Sequence, residues 1–407
     1  MALVVQKYGG TSVGDAQRIR AVADHVARTR ADGNEVVVVV SAMGKFTDDL
    51  VHLADEVSPT RPPRELDMLL TAGERISMAL VCMALAARDV QSASFTGSQA
   101  GIITDTDHTR AKILEIRPDR IREALDSGLV PVVAGFQGVS KDRNITTLGR
   151  GGSDVTAVAL AAALKADVCE IYTDVTGVFS ADPRVVPKAR RIAKVSFDEM
   201  LEISATGGRV MMLRSVELAR RHGVPIHVRS SFTWEPGTWI VEEDPTMEEA
   251  VVSAITDDTS EAKITVGGVP DRPGVAAQLF RELANRGINV DRIVQNTGTN
   301  GMTDISFTVA KTDLDVSRDA CDLVKDEIGA AEVTTDDNIG RVTIVGAGMK
   351  SSPGVTALMF ETLYEHGINI EMISTSSIRI SCVLRADKVA DAVRYLHTAF
   401  GLDAVEF

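Results

Sequence analysis

Cysteines and basic residues are scarce in this chain of 407 residues. The four cysteines, Cys82, Cys169, Cys321 and Cys382, lie far apart without a CxxC spacing, which argues against a disulfide framework or a zinc site. Each has apolar neighbours, as is typical of a small buried side chain. The 43 lysines and arginines are outnumbered by 57 aspartates and glutamates, so the formal net charge is −14. That charge argues against nucleic acid or an anionic membrane as a partner.

Long apolar runs and a basic leader are also missing from the sequence. No apolar stretch seen in it reaches the roughly 20 residues that cross a bilayer, and no basic segment followed by an apolar run opens the chain. We therefore expect a cytoplasmic protein without a membrane partner. The length predicts two or three domains. A content of 44% hydrophobic and 25% charged residues is typical of soluble globular proteins.

The most informative segment is TLGRGGSD at 147–154, directly before a predicted helix. Its glycines let backbone N–H groups approach a ligand, and the N-terminus of the helix favours negative charge. Arg150 is able to bind a carboxylate or phosphate through two hydrogen bonds. A lone segment of this kind is equally compatible with an ordinary capped turn between a strand and a helix.

A second candidate phosphate-binding segment lies near residue 7. Residues 3–8 are predicted to form a short strand, with Lys7 near its end and Gly9 and Gly10 directly behind it. A lysine beside glycine N–H groups suits phosphate oxygens. The segment lacks the GxxxxGK[ST] spacing of a P-loop, so a nucleotide would be held by a different architecture. By itself, Lys7 is also compatible with a solvated lysine at the end of a strand.

Alternation of β-branched runs with helical periodicity extends over the first 230 residues. The predicted strands are Glu35–Ser41, Leu129–Gly135, Cys169–Thr173 and Pro225–Arg229, and the predicted helices are Ala16–Thr29, Arg64–Ala87 and Asp154–Leu164. This order predicts an α/β fold with a parallel sheet between two helical layers. Ligands of such sheets bind beyond the carboxyl ends of the strands. Lys7, Ser41, Gly135 and Thr173 should therefore meet at one edge.

The C-terminal part contains an internal repeat behind a boundary near residues 230–259. The segments at 273–275 (PGV) and 287–290 (GINV) recur at 353–355 (PGV) and 367–370 (GINI), an offset of 80 in both cases (353 − 273 and 367 − 287). A constant offset predicts two copies of one module, each with the order βαββαβ.

Six segments in consecutive order resemble the aspartate kinases of the amino-acid-kinase fold. They are KYGGTSVG at 7–14, VVVVVSAMGKFTDDL at 36–50, LLTAGERIS at 69–77, SFTGSQAGI at 94–102, TLGRGGSD at 147–154 and TDVTGVFSADPR at 173–184. The C-terminal repeat resembles a tandem of ACT domains. The resemblance implies a three-layer kinase domain with a parallel sheet over 1–245. Two α+β, ferredoxin-like ACT modules are then expected over 260–338 and 339–407.

The same resemblance implies transfer of the ATP γ-phosphoryl group to the β-carboxylate of L-aspartate, with Lys7 and Asp154 as the catalytic residues. Because the acceptor is already ionised at pH 7, positioning and electrostatic stabilisation would carry the catalysis. The implied aspartate-binding residues are Ser41, Thr47, Glu74, Arg150, Gly151, Gly152 and Ser153. The implied ATP-binding residues are Lys7, Gly9, Gly10, Thr173, Asp174, Phe179, Asp182, Arg184 and Arg209. Mg²⁺ would arrive with ATP, since the sequence offers no dedicated metal site.

Regulation is implied by the ACT modules. In this family lysine, threonine or both bind between paired modules and inhibit the enzyme, which serves the biosynthesis of lysine, threonine and methionine. The implied effector residues are Asp271, Gly274, Val275, Ala276, Gln295, Asn369 and Ile370. We expect a homo-oligomer, or an α2β2 assembly whose regulatory subunit starts near Met247.

Four positions depart from the family pattern. Phe46 replaces a small hydroxyl residue, Thr176 replaces an aspartate, Arg209 replaces a lysine and Ser377 replaces an acidic residue. The charges of Lys7, Glu74, Arg150 and Asp154 are kept, which favours an active enzyme. Two alternatives remain open: a desensitised or pathway-specific paralogue, for example with another amino acid as acceptor, and a noncatalytic amino-acid sensor.

Overall fold

The structure is a computed structural model that describes residues 1–243, 251–295 and 301–403. The chain divides into two compact units. The first comprises Met1–Phe179 and Arg191–Met247, and the second comprises Ser180–Arg190 and Glu248–Phe407. The segment 180–190 thus belongs to the second unit although the chain on both sides of it belongs to the first.

The first unit is built around a mostly parallel sheet. Its strands are β1 (Leu3–Tyr8), β2 (Glu35–Val40), β3 (Ser92–Phe95), β4 (Ile102–Thr104), β5 (Ile113–Ile116), β6 (Val130–Ala134), β7 (Gln137–Ser140), β8 (Ile145–Thr147), β9 (Val168–Thr173), β10 (Lys194–Ser196), β11 (Ile226–Ser230) and β12 (Thr238–Val241). The central sheet has the order β10-β12-β11-β9-β1-β2-β6-β3, and β11 with β12 is its antiparallel pair. A smaller sheet has the order β5-β4-β7-β8.

Helices cover both faces of the central sheet. They are α1 (Ala16–Ala31), α2 (Phe46–Val57), α3 (Pro63–Leu70), α4 (Ala72–Ala86), α5 (Asp119–Asp126), α6 (Gly152–Leu164), α7 (Phe197–Ala205) and α8 (Leu213–His222), with a 3-10 turn at Gly10–Val13. On one face, Val22 of α1 and Val81 of α4 pack against Val36 and Val38 of β2. On the other face, α6 lies against β1 and β9. The predicted three-layer α/β architecture is confirmed.

The predicted helix 64–87 is wrong as a single element, because Thr71 separates α3 from α4. The Thr71 carbonyl accepts a hydrogen bond from Gln137 Nε2 at 3.2 Å, and its hydroxyl donates to the Met68 carbonyl at 3.0 Å. By length and composition alone, the continuous stretch Pro63–Ala86 does reach the size of a membrane span, contrary to our expectation. A buried core helix meets the same criterion, and Met78, Val81 and Leu85 lie in the core.

The second unit contains the sequence repeat as two four-stranded sheets. Its strands are β13 (Ala254–Asp258), β14 (Glu261–Pro270), β15 (Ile293–Gln295), β16 (Met302–Ala310), β17 (Glu332–Asp336), β18 (Ile339–Val345), β19 (Met372–Thr375) and β20 (Arg379–Arg385). Its helices are α9 (Val275–Asn285), α10 (Leu314–Ile328), α11 (Gly354–Glu365) and α12 (Val389–Ala399), with 3-10 turns at Lys311–Asp313, Ala347–Ser351 and Ala386–Lys388. The predicted α+β class is confirmed.

The two repeats differ in the origin of one edge strand. The first repeat has the strand order β15-β16-β14-β17, and the second has β19-β20-β18-β13. In the second repeat β13 takes the place of β17, pairing antiparallel with β18 from Ala254–Val345 to Asp258–Arg341. The expected βαββαβ order is therefore wrong for the second copy, whose fourth strand comes from the chain before the first copy. The domain bounds stay a proposal, and Met247 lies outside the described residues.

A polar network on the α1 face of the sheet holds Glu170 of β9. Its Oε2 accepts hydrogen bonds from Gln6 Nε2 at 2.8 Å and the Tyr172 hydroxyl at 3.0 Å, while Arg229 Nη1 lies 3.1 Å from Oε1. Burial alone would raise the pKa of Glu170, but the His227 ring at 3.7 Å, the hydrogen bond from Gln6 and the charge of Arg229 lower it to about 2. A carboxylate with a lowered pKa stabilises the folded state above its unfolded value, and this contribution is lost as the pH falls towards 2.

Glu170→Gln is expected to lower the free energy of unfolding at pH 7 by about 3 kcal/mol, because folding lowers the pKa of Glu170 from its usual 4.5 to about 2. The deficit should shrink as the pH is lowered from about 4.5 towards 2, where the wild-type carboxylate is protonated as well. Urea unfolding of the wild-type protein and of Glu170→Gln at several pH values measures this difference in the free energy of unfolding. Glu115→Gln, which removes an exposed ion pair with Arg117, is the matched control and should change little. Equal effects of the two substitutions would contradict the prediction.

Candidate active site

An ion pair between Lys7 and Asp154 lies at the centre of the candidate site. Lys7 is the penultimate residue of β1, and Asp154 stands in the first turn of α6. The Lys7 Nζ atom is 2.5 Å from Asp154 Oδ1, and each side chain is only 10% exposed. A charge this poorly hydrated is held by its partner, and the pair places a fixed cation at the edge of the sheet where ligands of parallel sheets bind.

Two glycines allow the loop behind Lys7 to pack closely. A Cβ on Gly9 would lie 3.5 Å from Lys7 Nζ, and a Cβ on Gly10 would lie 3.0 Å from the carbonyl oxygens of Ala42 and Gly44. The Gly10 carbonyl accepts a hydrogen bond from Gly44 N at 3.0 Å, while Gly9 N donates to the Tyr172 carbonyl at 3.2 Å. The Gly9 N–H is thus engaged inside the protein, whereas we had expected it to face a phosphate.

The loops after β2 and before α6 meet at this edge. Ser41 Oγ donates a hydrogen bond to Ser153 Oγ at 2.9 Å. A Cβ on Gly135 would lie 2.8 Å from the Ser153 Cβ, so the end of β6 is also in contact with this turn. Ser41, Gly135 and Lys7 therefore lie at one edge of the sheet, as their positions at strand ends predicted.

Glu74 lies buried next to the Ser41 loop. Its side chain in the first turn of α4 is 3% exposed, and its Oε1 accepts a hydrogen bond from Ala42 N at 3.1 Å. Its Oε2 is buried and has no hydrogen-bond partner among the described residues. Burial raises the pKa of Glu74 to about 7, although backbone N–H groups oppose the shift. Such a carboxylate suits a ligand that brings its own cation.

Arg150 and Thr47 lie at more open positions than Lys7, Glu74 and Asp154. Arg150 is exposed between Gly149 (φ +77°) and Gly151 (φ +68°), which give the turn its left-handed backbone. Gly152 begins α6, and a Cβ there would lie 2.9 Å from Phe136 Cδ2. Thr47 is partly exposed in the first turn of α2.

Gly151→Ala is expected to destabilise the protein by at least about 2 kcal/mol, since it combines a positive φ with a steric clash. The new Cβ would lie 2.0 Å from Met212 Cγ. Gly33→Ala is the matched control, because Gly33 has a φ of +88° and no atom within 4 Å of the added Cβ. Thermal unfolding of both variants separates the clash from the backbone strain. Equal losses of stability in the two variants would contradict the prediction, because they would show that the Met212 side chain moves away from the added Cβ without destabilising the protein.

Sequence reasoning missed two side chains that hold the 147–154 turn. Asp67 of α3 is fully buried and accepts hydrogen bonds from Thr147 Oγ1 at 2.6 Å and Thr109 N at 3.1 Å. Arg214 of α8 donates to the carbonyl oxygens of Leu148 and Ala111, both at 2.9 Å. Nothing local in the sequence marks either residue, because each acts on a segment more than 60 positions away.

The predicted nucleotide residues fall into both units. Thr173 is the last residue of β9 and Asp174 follows it, and the Thr173 carbonyl accepts a hydrogen bond from Ser231 N at 2.9 Å. Phe179 forms a bridge with Arg191, and Arg209 is exposed between α7 and α8. Asp182 and Arg184 belong to the second unit, where their side chains form an ion pair of 2.6 Å.

Most of the predicted effector residues lie around the start of α9, and the others lie at Gln295 of the first repeat and at Asn369 and Ile370 of the second. Gly274 (φ +99°) precedes α9, and Val275 is 4% exposed within the core of the first repeat. Asp271, Gln295 and Asn369 are exposed, Ala276 is partly exposed and Ile370 packs against the core of the second repeat. Their part in effector binding stays a prediction.

Among the described residues, no group of three or more histidine, cysteine, aspartate or glutamate side chains is arranged to hold a metal ion. Asp154 Oδ1 is engaged by Lys7.

The parallel sheet, the buried lysine–aspartate pair at its ligand-binding edge and the appended repeats define a phosphotransferase of the amino-acid-kinase class. The family model for the amino acid kinase family matches residues 2–230, and ACT domain models match 264–327 and 342–400. The aspartokinase of Mycolicibacterium smegmatis is 57% identical over 407 residues, covering 99% of this chain and 97% of that protein. The chain therefore belongs to the aspartokinase family, as its motifs predicted.

Solved structures of an aspartokinase have the same fold. The structure of E. coli aspartokinase III in complex with aspartate and ADP (R-state) is 26% identical with a TM-score of 0.83, covering 98% of this chain and 99% of that chain. The T-state complex of the same enzyme with lysine and aspartate has a TM-score of 0.75 at 26% identity, with 98% and 99% coverage.

Proposed function

We propose that the protein transfers the γ-phosphoryl group of ATP to the β-carboxylate of L-aspartate, giving 4-phospho-L-aspartate and ADP. The Lys7–Asp154 pair carries this proposal, because it is a buried, fixed ion pair at the sheet edge where the Ser41 loop meets Ser153 in the first turn of α6. Membership of the aspartokinase family and the aspartate and ADP complex of a relative support it.

In this proposal Lys7 stabilises the charge of the transferring phosphoryl group, and Asp154 holds the Lys7 ammonium in place. The reaction brings two anions together, so a preorganised cation at the point of transfer lowers the barrier most. The acceptor carboxylate needs no general base. The buried Lys7–Asp154 pair favours a catalytic role over a noncatalytic sensor, because a sensor has no need of two charges whose side chains are each only 10% exposed.

Recognition of aspartate requires one cation and one anion. We assign the α-ammonium to Glu74, whose buried Oε2 lacks a partner among the described residues, and a substrate carboxylate to Arg150. Ser41, Thr47 and Ser153 would supply hydroxyl groups. The Gly152 N–H is donated to the Gly149 carbonyl at 2.9 Å, so Gly151 and Gly152 would contribute close approach of the backbone at the start of α6.

We assign ATP to Lys7, Gly9, Gly10, Thr173, Asp174, Phe179, Asp182, Arg184 and Arg209. Because the Gly9 N–H is donated to the Tyr172 carbonyl, Gly9 would not hydrogen-bond to ATP through its N–H. It would contribute by letting the backbone approach the phosphates closely. Mg²⁺ bound to the phosphates would neutralise charge between the β and γ oxygens. ATP as a substrate fits the expected cytoplasmic location.

The ACT modules make feedback inhibition part of the proposal. Lysine is the first effector to test, since a relative is described in complex with it, and threonine follows from the family resemblance. The exposed residues Asp271, Gln295 and Asn369 and the N-terminus of α9 would form the effector site. We further propose the role in lysine, threonine and methionine biosynthesis and an oligomeric state, either a homo-oligomer or an α2β2 assembly.

The test is ATP- and Mg²⁺-dependent formation of aspartyl hydroxamate, measured alone and with lysine, threonine or both. Aspartate-dependent turnover that an effector suppresses is the expected result. Turnover without suppression would keep the kinase and indicate a desensitised regulatory unit. Folded protein that releases no ADP in the presence of aspartate would contradict the assigned acceptor.

A different amino acid as acceptor is the second candidate, and Phe46 is the observation behind it. Its Cδ1 lies 3.5 Å from where a Gly73 Cβ would stand, next to Glu74. An aromatic ring at this position changes the space beside the proposed ammonium site. A panel of amino acids in the same assay, repeated with Phe46→Thr, separates the two acceptors.

A further inference from the structure

Residues 105–111 form a loop that packs against the turn 147–154 within the first unit. Gly149 lies at the contact, since a Cβ added to it would stand 3.2 Å from the Thr109 carbonyl oxygen. Such a close approach leaves little room for a side chain between the two segments. The position of the turn, and of Arg150 on it, therefore depends on what fixes the loop.

Thr109 has a backbone conformation that is unfavourable for its residue type. Its φ is +69°, in the left-handed region that a β-branched residue rarely adopts. Such a conformation persists only where the surrounding contacts hold it in place, and it is found most often at functional sites. The loop therefore needs a partner that stabilises Thr109 in this geometry.

Asp67 of α3 is that partner. Its side chain is fully buried, and its two carboxyl oxygens accept hydrogen bonds from Thr109 N at 3.1 and 3.2 Å. His108 Nδ1 lies 2.5 Å from Asp67 Oδ2, and Thr147 Oγ1 donates to Asp67 Oδ1 at 2.6 Å. One carboxyl group thus joins the strained loop to the last residue of β8, where the turn begins.

The turn is fixed separately at its two ends. At its far end Asp154 is paired with Lys7 at 2.5 Å, and at its start Thr147 is bonded to Asp67. Arg150 lies between these two contacts. It is exposed and has no ion-pair partner among the described residues, so its side chain is available to a ligand. Loss of the Asp67 contact should therefore loosen Arg150 and leave the ion pair at the far end intact.

We propose that Asp67 is a positioning residue for the acceptor: it stabilises the strained loop and the start of the turn together, and so holds Arg150 where it binds the substrate carboxylate. This rests on the proposed function, which assigns that carboxylate to Arg150. Asp67 is fully buried and touches neither substrate nor reacting atoms in this proposal. Its loss should weaken aspartate binding and leave ATP binding unchanged. The hydrogen bonds described for its carboxyl group all involve His108, Thr109 and Thr147, none of which is assigned to ATP.

Thr147→Val and Thr146→Val form a matched pair of variants that tests this role. Both threonines are fully buried in β8. Each variant loses one hydroxyl hydrogen bond, from Thr147 to Asp67 or between Thr146 and Thr104 at 2.7 Å. In Thr147→Val we expect the KM for aspartate to rise about tenfold, as for the loss of one orienting hydrogen bond, and the KM for ATP to stay within twofold of wild type. Thr146→Val should change neither KM, although it should lower the melting temperature by a similar amount.

Two substitutions of Asp67 itself add a rescue experiment. Asp67→Asn keeps an oxygen that accepts from Thr147 and Thr109, and its amide donates to His108 Nδ1 in the other tautomer of the ring. Asp67→Ala removes all of these hydrogen bonds. We expect Asp67→Ala to raise the KM for aspartate at least as much as Thr147→Val, and Asp67→Asn to stay within about threefold of wild type. Thr147→Val carries the test if Asp67→Ala does not fold, since it changes one atom of the side chain.

Amide hydrogen exchange reports on the turn without any acceptor. We expect faster exchange over residues 148–154 in Thr147→Val than in Thr146→Val, because the Leu148 and Gly152 N–H groups are hydrogen-bonded in the wild-type turn. An unchanged KM for aspartate in folded Thr147→Val, or equal effects of the two variants on KM or on exchange, would overturn the proposal. Wild-type protein that does not phosphorylate aspartate would contradict the assigned acceptor, and the exchange rates would still decide whether Asp67 holds the turn.

Discussion

Asp154→Asn is expected to lower kcat for aspartate-dependent phosphoryl transfer by about 10³-fold, equivalent to about 4 kcal/mol of transition-state stabilisation. The reason is the 2.5 Å contact with Lys7, which leaves a poorly hydrated ammonium without its counter-charge when the carboxylate is removed. Release of ADP at saturating ATP and aspartate measures the effect. Asp126→Asn, at an exposed position in α5, is the matched control and should leave kcat unchanged.

A double-mutant cycle with Lys7→Met extends this prediction. Because the two charges act as one unit, the double variant should lose little more activity than either single variant. Strictly additive losses would mean that Lys7 and Asp154 contribute independently. A kcat within tenfold of wild type in folded Asp154→Asn would place the reaction elsewhere in the protein.

Glu74→Gln is expected to raise the KM for aspartate by about 100-fold, the loss of about 3 kcal/mol from a buried charge-assisted hydrogen bond to the substrate ammonium. Wild-type enzyme should also bind aspartate better as the pH rises. With a pKa of about 7, Glu74 is about one tenth ionised at pH 6 and about nine tenths ionised at pH 8. The KM of the enzyme for aspartate should therefore fall roughly tenfold between pH 6 and pH 8.

The pH profile distinguishes this role from a structural one. Glu74→Gln should lose the pH dependence of KM, whereas Glu65→Gln, at an exposed position in α3, should keep it. Stability should respond with the opposite sign. The raised pKa favours the folded state most below about pH 4.5, and this contribution is lost as the pH rises through about 7. A KM profile that stays flat in wild-type enzyme would contradict the assigned ammonium site.

Much of the sheet was predictable because its signals are local. The apolar runs over 35–41, 129–135, 169–173 and 225–229 become β2, β6, β9 and β11 to within a residue or two. Their order with the intervening helices was enough to bring Lys7 and Ser41 to one edge. The break at Thr71 was not predictable, since the hydrogen bond that accompanies it comes from Gln137, 66 positions further along the chain.

The charged residues of the candidate site could be proposed from the sequence, whereas their environment could not. Lys7, Glu74 and Asp154 were identified by their motifs, but the raised pKa of Glu74 depends on burial that only the packed loops create. Asp67 and Arg214, which hold the 147–154 turn, have no local signal at all. The attachment of residues 180–190 to the second unit was missed for the same reason, because their partners Ile255, Arg394 and His397 lie at least 75 positions away.

The edge strand β13 makes the first repeat an inserted domain. The chain begins the second repeat at Ala254, interrupts it with the whole of the first repeat and returns to it at Ile339. The boundaries of the duplication in the sequence therefore differ by one strand from those of the folded modules, because β13 precedes the first repeat in the chain but belongs to the sheet of the second. A fragment cut at the sequence boundary, residues 339–403, would expose the unpaired N–H and C=O groups of β18 and invite edge-to-edge association. A fragment that starts before Ala254 would close that edge with its own strand.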